Sequence, residues 1–275
     1  MVDIKKIYKI DQRIACITLD FETDYGHRLN KFNILNDSVG LNKVAGIFNE
    51  LEIPISAFII TEILEKYPES FDLLKKIACD FHCHSHTHNI KNFNSQYEIS
   101  QSADVFKKFF GYKPLGYRAP LGVVKEGDID IIKESGFKFS SSIFPTIRPG
   151  KFNFLKFPTQ PVIYKNGLIG IPLAVVPTVR YIISLSYLKL TGLKFNKFLY
   201  STFGLPNILI FDSHLIDFIP NEESLSDAPN FLKIAYRIHK NAGLEYFKYF
   251  INYLKSKNYR FITMTEMYEY LSTHA

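Results

Sequence analysis

The chain is poor in cysteine, has no block of like charge and has no long unbroken apolar run, and each shortage narrows what it can be. Cys16, Cys79 and Cys83 are its only cysteines. Their spacing matches neither a CxxC redox pair nor a zinc knuckle, and an odd thiol fits a reducing compartment. The formal charge is +6, yet Lys and Arg are scattered with no run of five or six, so nothing resembles a nucleic-acid arm and no nucleic-acid partner is expected. The charge supplies solubility and some attraction to anionic partners. The start, MVDIKKIYKIDQR, has no apolar run that could act as a secretory signal, and a cytoplasmic protein is the expectation. Leu168 to Leu193 is the most apolar stretch, but Pro172, Pro177, Arg180 and Lys189 interrupt it. It cannot supply the roughly 20 apolar residues of a membrane span. Two readings of it remain. A buried or substrate-covering segment is favoured; a membrane-peripheral face is the other, because Tyr181, Ile182, Ile183, Leu185, Tyr187 and Leu188 sit beside Lys189, Lys194 and Lys197.

What is present is an ordinary core-forming composition, with 47% apolar and 22% charged residues over 275 positions, and no repeat, low-complexity run or linker divides it. One domain over residues 1–275 is expected. Arg13 to Phe21 is a mostly apolar, β-branched run ending in acids, which predicts a buried strand that delivers carboxylates at its end. Further strands are predicted at Ile55–Ile60, Ile77–Phe81, Gly116–Arg118, Phe137–Phe139, Asn207–Phe211 and Arg260–Thr263. Helical spacing is predicted at Leu41–Leu51, Tyr67–Ile77, Ser95–Phe110, Ile129–Ser135 with a stop at Gly136, Leu244–Lys257 and Thr265–Leu271. Alternating strands and helices imply a largely parallel α/β sheet, and this many repeats of the unit predict a (β/α) barrel.

The chemistry-bearing residues fall just after the predicted strands. Asp20, Glu22 and Asp24 follow the first strand; His82, His84, His86 and His88 lie in FHCHSHTH after the third; Arg118 and His214 end later ones. In a barrel those ends converge on one face. Imidazole is the commonest metal ligand, so the histidine cluster predicts metal binding. Alternate spacing puts all four on one side of a strand, whereas His84 and His88 share a face if the chain turns helical; this pair is favoured, with His82 and His86 as neighbours or surface residues. Asp20 and Glu22 point to one face of an extended segment, so one can bind metal while the other takes a proton from an attacking water.

These residues, in this order, resemble carbohydrate esterase family 4, the polysaccharide deacetylases, whose fold is a distorted (β/α) barrel of about seven strands. ITLDFETDYG resembles the Asp-x-Glu form of the family's first motif, and CHSHTH supplies His-Ser/Thr-x-x-His as His84, Ser85 and His88. YRAPLG matches Arg-x-Pro-x-Gly with Arg118, Pro120 and Gly122. SSSIFP and FDSHLIDF resemble the stretches holding the fourth and fifth motifs, the last ending at His214. The resemblance spans about Arg13 to Leu271, with a divergent segment at about 151–206. It implies a metal-dependent hydrolase that removes an N-acetyl or other N-acyl group from a saccharide, with a divalent metal, Zn2+ by the donor types. By that resemblance Asp20 is the general base, Glu22, His84 and His88 hold the metal, Arg118 orients the base and His214 protonates the leaving amine. The backbone N–H near Leu121 helps hold the oxyanion, and Tyr25, Pro120 and Leu121 line the substrate groove. The sequence departs from the family pattern twice. Many members have Asp-Asp in the first motif, which sets Asp24 against Glu22 as ligand. Ser140 stands where an aspartate usually orients the acid histidine, leaving Asp212 or Asp217 to substitute. Two rival readings accompany the deacetylase: another barrel metallohydrolase acting on phosphoesters or cyclic amides, and a saccharide-binding homologue without turnover. The expected partners are a saccharide made inside the cell or a lipid-linked glycan of surface polysaccharide assembly.

Overall fold

The computed structural model describes residues 3–22, 24, 32–72, 74–89, 92, 94–125, 127–226 and 230–274. Along the chain run β1 (Ile4–Ile7), β2 (Ile14–Phe21), α1 (Ser38–Leu51), β3 (Ile55–Ile59), α2 (Glu62–Lys66), β4 (Cys79–Cys83), α3 (Gln96–Phe110), β5 (Gly116–Tyr117), α4 (Asp128–Glu134) and β6 (Phe139–Ser140). There follow β7 (Ile147–Arg148), β8 (Phe152–Asn153), β9 (Val162–Tyr164), β10 (Ile169–Gly170), α5 (Leu185–Phe203), β11 (Ile208–His214), α6 (Leu215–Phe218), α7 (Asn230–Arg237), α8 (Gly243–Ser256), β12 (Arg260–Phe261) and α9 (Met264–Thr273).

The architecture is a distorted (β/α) barrel, α/β in class, built on one mostly parallel sheet in the order β1-β9-β10-β6-β5-β4-β3-β2-β11, with β12 also pairing β2. β2 is its centre. All eight of its residues are buried, because it pairs in parallel with β11 on one side and with β3 and β12 on the other. A strand covered on both faces needs the continuous apolar run that this one has. Its side chains still alternate: Ile14 and Cys16 join the barrel interior with Phe58, Phe139 and Ile210, while Ala15, Ile17, Leu19 and Phe21 pack against the helices. Carried two steps further, that alternation sends Thr18 and Asp20 inward. The sheet path ends at β1 and β11, and among the described residues no ladder joins β11 to the stretch that follows β10. Single contacts span the opening, with Ala174 N–H donating to the Ile210 carbonyl at 3.0 Å and Ser184 bridging Asp212.

The helices are set by local chemistry as well as packing. The α1 residues buried against the sheet are Leu41, Val44, Ala45, Ile47, Phe48 and Leu51, and Asp37 caps the helix by accepting from Gly40 N–H; this is the predicted apolar face. α3 starts at a Ser95 cap and ends at Gly111 in the left-handed region; α9 opens on a Thr263/Glu266 capping box. No helix among the described residues is long and apolar enough to cross a membrane.

The seven predicted strands are all present, as β2 to β6, β11 and β12. Other expectations need correcting. Tyr67–Ile77 is not one helix: α2 stops at Lys66, and two 3-10 turns follow at Pro68–Asp72 and Leu74–Lys76. Pro68 forces Tyr67 out of the helical region, to φ −138° and ψ 52°, since the residue before a proline clashes there. The following strand accordingly begins at Cys79 rather than Ile77. In the Tyr181–Leu188 stretch Ile182, Ile183, Leu185 and Leu188 are buried, as is Lys189 beside it, while Lys194 and Lys197 are exposed. Within 151–206 the chain adds β9 and β10 to the sheet, β10 parallel to β6 and β9 antiparallel, and then α5.

Candidate active site

A pocket of about 300 Å3 opens at the C-terminal ends of the strands, the face where barrel sites are built. The parallel register of β2 and β11 puts Asp20 beside His214 and Thr18 beside Asp212. Arg118, just past β5, reaches into the same space. Its Nη1 donates to Asp20 Oδ1 at 2.6 Å, to Asp212 Oδ1 at 2.9 Å and to Thr18 Oγ1 at 2.9 Å, while Nε donates to the Ser141 carbonyl at 2.9 Å. The guanidinium lies over the Phe58 ring at 3.9 Å and is 2% exposed. A cation this deep is stable only with such pairing, and the pairing fixes one oxygen of Asp20 and leaves Oδ2 turned to the pocket.

After β4 the chain bends so that His84 and His88 face Glu22. His84 Nε2 is 3.7 Å from Glu22 Oε2, and His88 Nε2 is 3.4 Å from the same oxygen. His84 Nδ1 donates to the Arg118 carbonyl at 3.0 Å, which leaves the Nε2 lone pair aimed into the pocket. The bend places Ser85 at φ 68° and His88 at φ 57°, left-handed positions that a non-glycine residue occupies only when held there. Glu98 of α3 is what holds them. Its buried carboxylate accepts from Ser85 Oγ at 2.7 Å, Thr87 N–H at 2.8 Å, Thr87 Oγ1 at 2.7 Å and His86 N–H at 3.2 Å.

The other two histidines lie elsewhere. His82 packs inside the barrel between Phe58 and Phe139 and donates to Asp80, and His86 bonds Thr61 Oγ1. Asp24 lines the pocket, but its two oxygens accept the backbone N–H groups of Asn33 and Ile34 at 2.9 and 3.0 Å. Glu22 is therefore the carboxylate placed with His84 and His88. Their ligand atoms lie within 4.8 Å of one another, two imidazoles and a carboxylate with one side open, and this donor set fits a divalent ion such as zinc.

His214, one-fifth exposed at its side chain, stands across the pocket with Nε2 3.8 Å from Asp20 Oδ2. Its Nδ1 lies 3.4 Å from Asp217 Oδ2, which also accepts the His214 backbone N–H at 3.1 Å. Asp217 is held in turn by Ser186 Oγ, and the buried Lys189 ammonium donates to the Asp217 carbonyl at 2.9 Å. Ser140 is not part of this arrangement. It bonds Ser142, whose hydroxyl accepts Ala119 N–H, so the position where an aspartate was expected braces the turn after Arg118. Leu121 lines the pocket at φ 60°; Pro120 is buried in that turn and is not among the lining residues. Tyr25 lies outside the described residues.

The charges are strongly coupled. Burial alone would raise Glu22, but the neighbouring His84, His214 and His88 hold it at about 2. Burial opposes a charged His84, yet Asp20 and Glu22 raise it above the usual range; a field that favours an imidazolium also favours a metal cation. Burial and the Asp20 charge push Asp212 up to about 7 against the pull of His214 and Arg118. Burial disfavours the charged His214, but Asp212, Asp217, Glu22 and Asp20 together raise it well above its ordinary value. Sequence reasoning missed Glu98, Lys189 and Ser186. Ser95-x-x-Glu98 has capping-box spacing, which would turn Glu98 back on its own helix; Ser186 and Lys189 had no signal beyond an apolar run.

Residues 11–140, just under half of the chain, match the family model of polysaccharide deacetylase. Among solved structures, a chain from Mycobacterium smegmatis assigned as a polysaccharide deacetylase aligns with a TM-score of 0.58 at 13% identity, over 100% of this chain and 96% of that one. An allantoinase aligns with a TM-score of 0.58 at 12% identity, over 94% and 90%. A CE4 family pseudoenzyme from Bacillus anthracis aligns with a TM-score of 0.54 at 12% identity, over 94% and 66%. At these identities the likeness is one of fold. No curated relative matches the chain.

Proposed function

We propose that this chain, whose residues 11–140 carry the polysaccharide deacetylase family match, acts over its whole length as one catalytic domain that hydrolyses an N-acetyl group on an amino sugar. The observation that carries the reading is the meeting, in one pocket, of Asp20 fixed by Arg118, the Glu22–His84–His88 set and His214. When bound there, a divalent metal, zinc by the donor set, supplies Lewis acidity and an acidified water. Asp20 Oδ2 takes the proton of the attacking water, because Arg118 holds its other oxygen and keeps the free one aimed inward. His214 Nε2 gives a proton to the departing nitrogen, and Asp217 keeps the ring in the orientation that allows it. The Leu121 backbone N–H is assigned to the developing oxyanion. One water is consumed, the amide C–N bond breaks, and acetate and a free amine result. Tyr25 is kept as a groove residue only, and Pro120 shapes the turn that carries Leu121. The saccharide is a free precursor or a lipid-linked glycan.

Acetate release tests this. Metal-loaded protein is expected to release acetate from an N-acetylated oligosaccharide, to lose the activity on chelation and to lose at least about a hundredfold in kcat with Asp20→Asn, the usual worth of a general base. An Asp20→Asn variant as active as the wild type removes Asp20 from the mechanism. Saccharide binding with no acetate under any metal would favour the turnover-less homologue that Ser140 invites. Opening of a cyclic amide instead would favour the allantoinase-like alternative.

A further inference from the structure

We infer that the pocket is served from an anionic lipid surface, which docks on the exposed face of α5 and α7. This rests on the deacetylase reading for what the pocket does, while the observations behind the face are separate. No Asp or Glu lies between Glu134 and Asp212. Within that stretch Lys194 and Lys197 stand exposed next to Phe195 and Phe198, which are 43% and 60% exposed, and on α7 Ile234 is 61% exposed. The opposite side of α5 already buries Leu199 and Tyr200, so these outer rings are surplus to the core. Bare apolar groups grouped in this way mark an interaction surface.

The face is continuous with the pocket. Tyr187 and Leu190 of α5 line it, as do Ala235 and Tyr236 of α7. The Tyr181 ring lies 5.5 Å from Tyr187 and 5.8 Å from Phe195, linking the pocket wall to the outer surface. His239 Nδ1 donates to the Lys189 carbonyl at 2.8 Å and ties the end of α7 to α5. Leu190 and Ile238, 38% and 37% exposed, lie at that junction. The pocket thus has catalytic polar groups at its floor and an apolar rim leading outward.

The chemistry of the occupant follows from the charge. Aromatic rings flanked by lysines, with no carboxylate on the same helix, make a face that sits at a lipid interface, rings in the acyl boundary and ammonium groups at the phosphates. A second copy of the chain is disfavoured, since a two-fold contact through this patch would set Lys194 and Lys197 against their own counterparts. A substrate presented at such a surface is an amphiphile: its sugar reaches Asp20 and its apolar part stays at the rim.

The test is sedimentation of the full chain with vesicles of phosphatidylcholine alone or mixed equally with phosphatidylglycerol. Acetate release from a water-soluble N-acetylated oligosaccharide is followed on the same preparations. Binding is expected with the mixed vesicles only. Lys194→Ser with Lys197→Ser should weaken it about thirtyfold, at roughly 1 kcal/mol for each lysine. Phe195→Ser with Phe198→Ser should weaken it by about tenfold or more, and neither pair should alter acetate release from the soluble substrate. Wild-type protein left in the supernatant with the mixed vesicles overturns the inference, as does binding that both pairs leave unchanged, or a dimer in solution that the Phe195/Phe198 pair dissociates. Vesicle binding that persists without any acetate release upholds the docking face and removes only the deacetylase reading.

Discussion

At the scale of single residues, the site depends on a carboxylate, Glu98, that does not line the pocket. Glu98 is buried and accepts four hydrogen bonds from the loop that carries His84 and His88. Two residues of that loop, Ser85 and His88, are left-handed without being glycine, so the loop has no intrinsic preference for its shape. Glu98→Ala would leave donors without their acceptor and let the strained turn relax. The expected loss is about 2–4 kcal/mol in unfolding free energy, from the price of unpaired buried donors, and about ten- to a hundredfold in zinc affinity, the usual cost of removing a group that orients ligands. Glu98→Gln, which keeps one oxygen, should fall between. Urea titration and competition with a zinc chelator measure the two effects; a Glu98→Ala chain that binds zinc like the wild type would show that the loop sets itself. Asp217 plays the corresponding part for His214, from three residues further along the chain.

At the scale of elements, the sequence is legible where packing repeats a simple period and illegible where a contact is distant. α1 shows its buried face in the spacing of Leu41, Val44, Phe48 and Leu51, and β2 declares itself as a run with acids at its end. β1 does not, because its IKKI pattern is mostly exposed and its partner β9 lies far along the chain. α5 was hidden for the opposite reason: apolar residues on both of its faces erase the helical period. The histidine cluster was readable as chemistry, but the sorting of His84 and His88 from His82 depended on where β4 ends. Asp80, two residues before His82, ties β4 to α9 by accepting from Thr265 N–H at 2.8 Å and from His82 Nε2 at 3.1 Å. Burial would raise its carboxyl, but the His82 charge and the bonds from His82, Ser56 and Thr265 hold it at about 2, below the ordinary 3.8. A depressed carboxylate contributes stability that is complete above its unfolded value and lost as pH falls through its folded one. Its contribution of roughly 2 kcal/mol should therefore fade between about pH 4 and pH 2. Asp80→Asn should lack that share at neutral pH and show a flatter decline in acid. Urea midpoints taken across this range test it, and parallel curves for the two proteins would show that Asp80 is not the group responsible.

At the scale of the whole molecule, charge is sorted as well as counted. A chain of net charge +6 gathers Asp20, Glu22, Asp212 and Asp217 at one end of the barrel, and the Asp20 charge helps push Asp212 up to about 7. Crowded like charges store repulsion that a divalent cation relieves. Because Glu22 follows β2 while His84 and His88 follow β4, such a cation also ties together stretches that have no link along the chain. Ligand binding to the folded state alone then raises stability, by about 2.7 kcal/mol at a hundred times the Kd. Thermal unfolding with zinc should shift upward accordingly, and Glu22→Gln or His88→Ala should remove the shift. In chelator at neutral pH, Glu22→Gln should be somewhat less stable than wild type, since His84, His214 and His88 hold the Glu22 carboxyl at about 2 and the fold gains from its charge. Asp24→Asn is the informative contrast. It weakens the bonds to the Asn33 and Ile34 backbone and should lower stability with and without zinc, yet the zinc shift itself should persist. If Asp24→Asn abolishes that shift and Glu22→Gln preserves it, the ion is held by the other carboxylate, and the placement of Glu22 beside His84 and His88 is not the metal site.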